Sequence, residues 1–358
     1  MRYFSLFTGI GGFENGINQA YVALSSTKRE EQRRLEKSQP NAVLDWYRTT
    51  TQPVCVGYSE IDKYAIQIYQ KHFPNHKNYG DITKIDEVSL PDFDLLVGGF
   101  PCQSFSIAGK RAGFGDTRGT LFFDIARIVK QKQPRLLLLE NVKGLLSHDD
   151  GRTFYTIIST LDELGYDIQW QVLNSKNFGV PQNRERVFIV GHLRGTPRPQ
   201  VFPITGSNPK GLEELTNSAQ QGYRVYSKQG INPTLASQAG GVGAKTGLIA
   251  HTIRGGGRSS GLGTKQNWDS YLVDGVIRRL TPKECERLQG FPDDWTKEGV
   301  ECCAECQSAD LPKEREIGKH FTWCTKIISD TQRYKTLGNA VTTNVVQAIM
   351  EKMLWQEE

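Results

Sequence analysis

No stretch of the 358 residues is apolar over the roughly 20 positions a membrane-crossing helix needs. The chain opens MRYFSLFTGIGGF, without the basic start, long apolar stretch and small-residue cleavage site of a secretory leader. Both absences point to a cytoplasmic protein. Cysteine is scarce and uneven: there are seven, of which Cys55, Cys102 and Cys285 are isolated and Cys302, Cys303, Cys306 and Cys324 cluster. An odd count in a chain of this size argues against a disulfide framework. An isolated cysteine is by default a small buried hydrophobe, so any chemistry at Cys102 needs its own argument. One-signed charge is also lacking overall, since the net charge is only +5. Its distribution is informative: between Leu193 and Asp274 there are nine Lys/Arg against four Asp/Glu. That excess equals the excess of the whole chain, so one segment carries the positive field that suits a polyanion.

What is present reads as alternating strands and helices. Apolar runs predict strands at Tyr3–Phe7, Val54–Ser59, Asp94–Val97, Arg135–Leu139, Trp170–Leu173 and Val187–Val190. Helical patterns fall at Phe13 to about Ala23, Lys63–His72, Leu121–Lys132 and Thr153–Leu164. The run KREEQRRLEK at 28–37 reads as a separate solvent-exposed helix of i,i+4 pairs. Such alternation indicates an α/β fold with a mostly parallel, doubly wound sheet, in which ligands bind at the carboxyl ends of the strands. From Gly195 to Gly275 the texture changes, with 15 of the 36 glycines. The expected organisation is a catalytic domain at 1–192, a smaller, loop-rich and basic domain at 193–276, and a return segment at 277–358. In the middle segment, Gly247–Ile253 and Ser270–Val273 are candidate strands. The return segment begins with a helix over Thr281–Gln289, capped by Thr281-Pro282, and ends in a helix over Thr343–Trp355.

Three motifs sit at predicted strand ends. Phe7-Thr8-Gly9-Ile10-Gly11-Gly12 places glycines where a strand turns into a helix. This suits a dinucleotide, a nucleoside or merely a tight turn. Glu60 follows the second strand, where an acid often holds ribose hydroxyls; a surface glutamate is the alternative. Phe100-Pro101-Cys102-Gln103-Ser104 puts a thiol in a turn after a strand, where helix N-termini can favour the thiolate.

Taken in order, FTGIGGF, Glu60 with Asp62, Gly80-Asp81-Ile82, GGFPCQSFS, RGTLFFDIARIV, LLLLENVKGL, FGVPQNRERVFIVG, RRLTPKECERLQGFPD and QRYKTLGNAV closely resemble the DNA (cytosine-5)-methyltransferase family. The match covers nearly the whole chain except 24–52, the middle of the glycine-rich segment and about 297–328. The bacterial branch, with its proline-cysteine-glutamine loop, fits better than the tRNA-methylating branch. The resemblance implies a Rossmann-like S-adenosylmethionine-dependent domain and a DNA target-recognition domain at 193–276. Cys102 would be the nucleophile that adds to carbon 6 of cytosine and makes carbon 5 reactive. Glu140 would bind the ring at N3 and the exocyclic amine, and Arg184 and Arg186, two apart, would brace the base from one side.

For S-adenosylmethionine the resemblance implies Phe7 stacked near the adenine, Gly9 and Gly11 against the methionine moiety, Glu60 at the ribose, and Ile61 among the cofactor contacts. Asp81 and Ile82 would lie at the adenine, while Pro101, Leu121 and Asn339 would close the pocket. The family often has serine where Ala340 stands. The target base must be flipped out of double-stranded DNA, with Arg254 and Arg258 as candidate groove readers or phosphate contacts. A matching restriction endonuclease would be a functional partner, and the enzyme is expected to be monomeric.

Three features stand outside or against that reading. Cys303-x2-Cys306 and His320-x3-Cys324 have spacings that suit a structural zinc, although reduced thiols in a surface loop serve equally. An RNA cytosine methyltransferase and a catalytically silent DNA-binding relative are the alternatives within the fold. A nicotinamide oxidoreductase is suggested by the glycine loop alone.

Overall fold

The computed structural model describes residues 1–38, 52–101, 121–197, 200–206, 225–227, 232–233, 248–250, 271–273, 276–278, 280–301 and 325–355. At its centre is a six-stranded sheet of β1 (Arg2–Leu6), β2 (Val54–Ser59), β3 (Leu95–Gly99), β4 (Leu136–Val142), β5 (Tyr166–Asn174) and β7 (Glu185–Leu193). The order is β2-β1-β3-β4-β7-β5. β1 pairs in parallel with β2 and β3, and β3 with β4. β7 runs antiparallel to both β4 and β5, so the sheet is mostly parallel, with one reversed strand. β6 (Gln182–Asn183) lies just before β7.

The central strands are apolar at nearly every position because both faces are covered. Tyr3, Leu95, Val97, Leu136, Leu138, Phe188 and Val190 face one cluster, together with Phe13 and Ile17 of α1 (Gly12–Ser38). Their neighbours Phe4, Leu6, Leu96, Leu137, Leu139, Val187 and Ile189 face the other. That second layer contains α3 (Leu121–Lys132) through Phe122 and Ile125, and α4 (Arg152–Glu163) through Ile157 and Leu161. α2 (Lys63–His72) follows β2, with Asp62 accepting from the Tyr64 and Ala65 N–H groups at its start. The return segment contributes α5 (Pro282–Leu288), α6 (Asp330–Asn339) and α7 (Thr343–Trp355). α7 completes the first core layer through Val345, Val346, Ile349 and Met353.

Three expectations are corrected. The helix expected to stop near Ala23 and the charged helix at 28–37 form one element, α1. The change from amphipathic to charged composition falls inside the helix and does not end it. Residues 201–204 do not leave with the second domain: Val201, Phe202 and Ile204 are buried in the first core layer. These apolar side chains lie inside the glycine-rich stretch, yet they pack with the catalytic core. Asp330–Asn339 is also a helix of its own, although its sequence signal was only a motif.

Beyond 206, the short strands form two-stranded pairs, one of them with β6 of the preceding segment. β8 (Val225–Ser227) pairs in parallel with β10 (Leu248–Ala250), and β6 with β9 (Asn232–Pro233). β11 (Tyr271–Val273) pairs antiparallel with β12 (Val276–Arg278), and β13 (Glu298–Val300) with β14 (Thr325–Ile327). No helix among the described residues is long and apolar enough to cross a membrane.

Candidate active site

Parallel strands bring their carboxyl ends to one edge of the sheet, and the loops that follow β1, β2, β3 and β4 meet there. β7 is antiparallel, so it begins at the same edge. Register does the rest. Gly99 stands opposite Glu140 across the β3–β4 pair. Glu140 stands opposite Phe188, and Val142 opposite Arg186, across β4–β7. Residues 186 and 188 share a face, so Arg186 lies diagonally beside Glu140. Its Nε donates to Glu140 Oε1 at 3.0 Å, with the two side chains only 16% and 12% exposed. The second carboxylate oxygen faces Gly99, where an added Cβ would lie 3.1 Å from Oε2. The second glycine of the GGFPC motif thus leaves room for a carboxylate.

Arg184 takes a different path. It precedes β7 and is 2% exposed. Its Nη2 donates to the carbonyls of Gly338 at 3.1 Å and Ala340 at 2.9 Å. Burial, and then the charge of Arg186, lower its pKa to about 9, while Glu140 opposes the shift. The guanidinium therefore stays charged at neutral pH and ties the start of β7 to the α6–α7 turn. Of the two arginines expected to brace one base, only Arg186 reaches Glu140. Asn339, the last residue of α6, is exposed beside the turn that Arg184 holds, and Ala340 is buried.

The glycine loop has the conformation of a ligand-facing turn. Phe7 has φ 52°, a left-handed value that costs a non-glycine residue about 1–3 kcal/mol and marks functional turns. Gly11 has φ +88°, and a Cβ there would lie 2.6 Å from the Phe73 ring. At Gly9 nothing stands within 4 Å of where a side chain would begin, so the backbone is open to a ligand. Its N–H donates to Glu60 Oε2 at 2.8 Å, while Glu60 Oε1 accepts from the Ile61 and Asp62 N–H groups. Three of about four lone-pair sites are then used, leaving capacity for a ribose hydroxyl. Ile61 is 72% exposed and offers an apolar platform with nothing over it.

Asn78 Oδ1 accepts from the Glu60 and Gly80 N–H groups, joining the Gly80-Asp81 turn to this site. Asp81 caps the short turn Ile82–Lys84 through the Thr83 N–H and hydroxyl, and the Thr83 hydroxyl lowers its pKa most. Ile82, expected at the adenine, instead turns its side chain into the core at 3% exposed. Pro101 is exposed after β3, and Leu121 opens α3 half-buried. An open glycine backbone, an acid with spare acceptor capacity and an uncovered apolar side chain fit an adenosyl ligand.

Two positions had little signal in the sequence. Asn141 is buried, and its Nδ2 donates to the Phe100 carbonyl at 2.9 Å, so β4 holds the chain just before Pro101-Cys102. Trp295 Nε1 donates to the Ile10 carbonyl at 3.0 Å, and the Trp295 ring stacks on His72 at 3.5 Å. The return segment thereby touches the glycine loop. An Asn after Glu and a Trp after two Asp were visible as motif letters, but their partners are distant in sequence. Cys102, Arg254, Arg258, Cys303, Cys306, His320 and Cys324 lie outside the described residues. Among the described residues no group of three His, Cys, Asp or Glu is placed to hold a metal.

The family model of C-5 cytosine-specific DNA methylases matches residues 1–224 and 210–309. The chain belongs to that family. This methylase is 38% identical over 328 residues to the type II methyltransferase M1.ScrFI of Lactococcus lactis subsp. cremoris, covering 86% of this chain and 74% of the relative. It is 32% identical to the type II methyltransferase M.HhaI of Haemophilus parahaemolyticus, covering 98% and 93%. Its fold is similar to that of the S. pombe Dnmt2 methyltransferase, with a TM-score of 0.61 at 14% identity, covering 99% of this chain and 98% of that one. Family membership implies S-adenosylmethionine as methyl donor and DNA as substrate.

Proposed function

We propose that this DNA (cytosine-5)-methyltransferase of the restriction-modification type works through a covalent bond between Cys102 and carbon 6 of a flipped-out cytosine. The observation that carries the reading is the Glu140–Arg186 pair beside Gly99, three residues before Cys102. The Cys102 thiolate adds to carbon 6, and electron density moves to carbon 5. Glu140 meets the ring at N3 and the exocyclic amine, stabilising the charge that develops there. Arg186 holds that carboxylate in place, and Asn141 fixes the backbone leading to the thiol. S-adenosylmethionine, when bound, supplies an electrophilic methyl group to carbon 5. A base then removes the carbon 5 proton, the carbon–sulfur bond breaks, and the thiolate and aromatic ring are restored.

Phe7, Gly9, Gly11, Glu60, Ile61, Asp81, Pro101, Leu121 and Asn339 hold the donor, supported by the open glycine loop, the spare acceptor capacity of Glu60 and the uncovered Ile61. The basic, glycine-rich segment at 193–276 binds the phosphates and reads the site, with Arg254 and Arg258 its candidate contacts; its charge excess is the support. The enzyme acts as a cytoplasmic monomer and protects its site against a matching endonuclease.

Expression in a host free of cytosine methylation, followed by bisulfite sequencing, tests this reading. It predicts methylation of one cytosine within one short duplex sequence. Unmethylated DNA, or methyl transfer to tRNA in its place, contradicts it.

A further inference from the structure

Glu14 lies in the first turn of α1 and is fully buried. The Thr8 hydroxyl donates to its Oε1 at 3.0 Å, and the Tyr69 hydroxyl lies 3.2 Å from the same oxygen. Thr8 is also hydrogen-bonded to Ser5. The other oxygen, Oε2, is buried with no hydrogen-bond partner. The groups around the carboxyl are Tyr3 and Ser5 from β1, Thr8 from the glycine loop, Cys55 and Tyr58 from β2, and Tyr69 from α2. His76 lies beyond Tyr69, its Nδ1 2.9 Å from the hydroxyl. Among the described residues no lysine or arginine pairs with Glu14.

We propose that Glu14 is a positioning residue for the methyl donor: through the Thr8 hydroxyl it fixes the glycine loop, and through Tyr69 it ties that loop to His76. The proposal rests on the reading that this loop holds S-adenosylmethionine. Proton counting links the form of the acid to the tautomer of His76. Tyr69 has one proton to give, either to Glu14 Oε1 or to His76 Nδ1; where His76 Nδ1 carries its own proton, Tyr69 donates to Glu14. If Tyr69 donates to His76, it accepts from Glu14, which must then be a neutral carboxylic acid. Burial raises the Glu14 pKa above its ordinary 4.5, against the donors Ser5, Thr8 and Tyr69. Burial also lowers His76 to about 4, so its ring is neutral at neutral pH, and the tautomer with its proton on Nε2 accepts at Nδ1. The bonds run from the buried acid to a half-buried histidine, a route by which the proton leaves.

The pH dependence follows in sign. The folded protein keeps the Glu14 proton at a pH where the unfolded chain has lost it. That contribution is complete below 4.5 and is lost as pH rises through the raised folded value. His76 acts in the opposite direction: its contribution is complete above 6.5 and is lost as pH falls toward about 4. Burial, with the charge of Glu14, pushes Cys55 up to about 12, and Tyr3 and Tyr69 are raised above 10.0. Within the cluster, Glu14 is therefore the acid that loses its proton at the lowest pH, above its ordinary 4.5.

The test is calorimetric binding of S-adenosylhomocysteine to the full chain, comparing wild type, Glu14→Gln and Glu14→Ala, with thermal melting in parallel. Wild-type affinity should weaken with rising pH as Glu14 loses its proton, by about tenfold. Glu14→Gln should bind within about threefold of wild type near neutrality and show a flat profile. Glu14→Ala should bind about tenfold more weakly throughout. An alkaline fall that persists in Glu14→Gln overturns the proposal, as does a Glu14→Ala protein that melts lower yet binds like wild type. If the alanine variant does not fold, the glutamine profile decides alone. A wild-type protein that does not bind S-adenosylhomocysteine at any pH overturns the reading of the glycine loop itself.

Discussion

Glu286 and Glu140 are both shielded carboxylates paired with an arginine. Glu286 accepts from the Asp294 and Thr296 N–H groups, the Thr296 hydroxyl and Arg333 Nη2. It is fully buried, and its acceptor capacity is spent inside the return segment. Glu140 accepts from Arg186 Nε on one oxygen, and its other oxygen faces the space beside Gly99. The first pair is closed and joins α5, α6 and the 291–297 turn. The second is oriented and still has an acceptor to offer. A buried ion pair marks scaffold or site according to what its carboxylate has left to bond, and burial alone does not tell the two apart.

That contrast can be broken at several points. Cys102→Ala should lower methyl transfer to duplex DNA by roughly 10³-fold or more while cofactor binding stays nearly intact. Turnover near the wild-type rate would remove the nucleophile from the account. Glu140→Gln should reduce kcat by about 10²–10³-fold with little change in melting temperature, because it removes charge stabilisation from an oriented group. Glu286→Ala should do the reverse. Removing the buried partner of Arg333, which keeps only the exposed Asp330 at 3.4 Å as a counter-charge among the described residues, should cost about 3–5 kcal/mol of stability, read by denaturant unfolding, while the folded fraction retains its specific activity. Asn141→Ala should lie between them, losing about 1–3 kcal/mol for the stranded Phe100 carbonyl, with kcat falling more than the cofactor Kd rises. If Glu140→Gln destabilises and Glu286→Ala only slows turnover, the assignment of scaffold and site is inverted.

Much of the catalytic core was legible in the sequence. Val54–Ser59, Lys63–His72, Leu121–Lys132 and Thr343–Trp355 have the bounds their apolar patterns predict. Those segments are buried on one or both faces, so periodicity reports the packing directly. α6 escaped notice because Asp330–Asn339 is polar, with Thr336 and Gly338 among its buried residues. The reversed direction of β7 has no local signature, since apolar strands read alike either way. For the site, chain order supplied the loops but not the partners. Arg184 and Arg186 look equivalent two residues apart, yet Arg184 is held by carbonyls 154 and 156 residues away. Glu14 reads as an ordinary first-turn acid, and its role depends on Tyr69, 55 residues on. Such long-range hydrogen bonds are what a single sequence conceals.

Duplex DNA with 5-fluorocytosine at the enzyme's own site, incubated with the protein and S-adenosylmethionine, tests the central claim most directly. Fluorine at carbon 5 cannot leave as a proton does, so the carbon–sulfur bond formed at carbon 6 is trapped. The account predicts a denaturation-resistant protein–DNA adduct that Cys102→Ala does not form. No adduct with the wild-type protein, under conditions where it methylates the unfluorinated site, would contradict it.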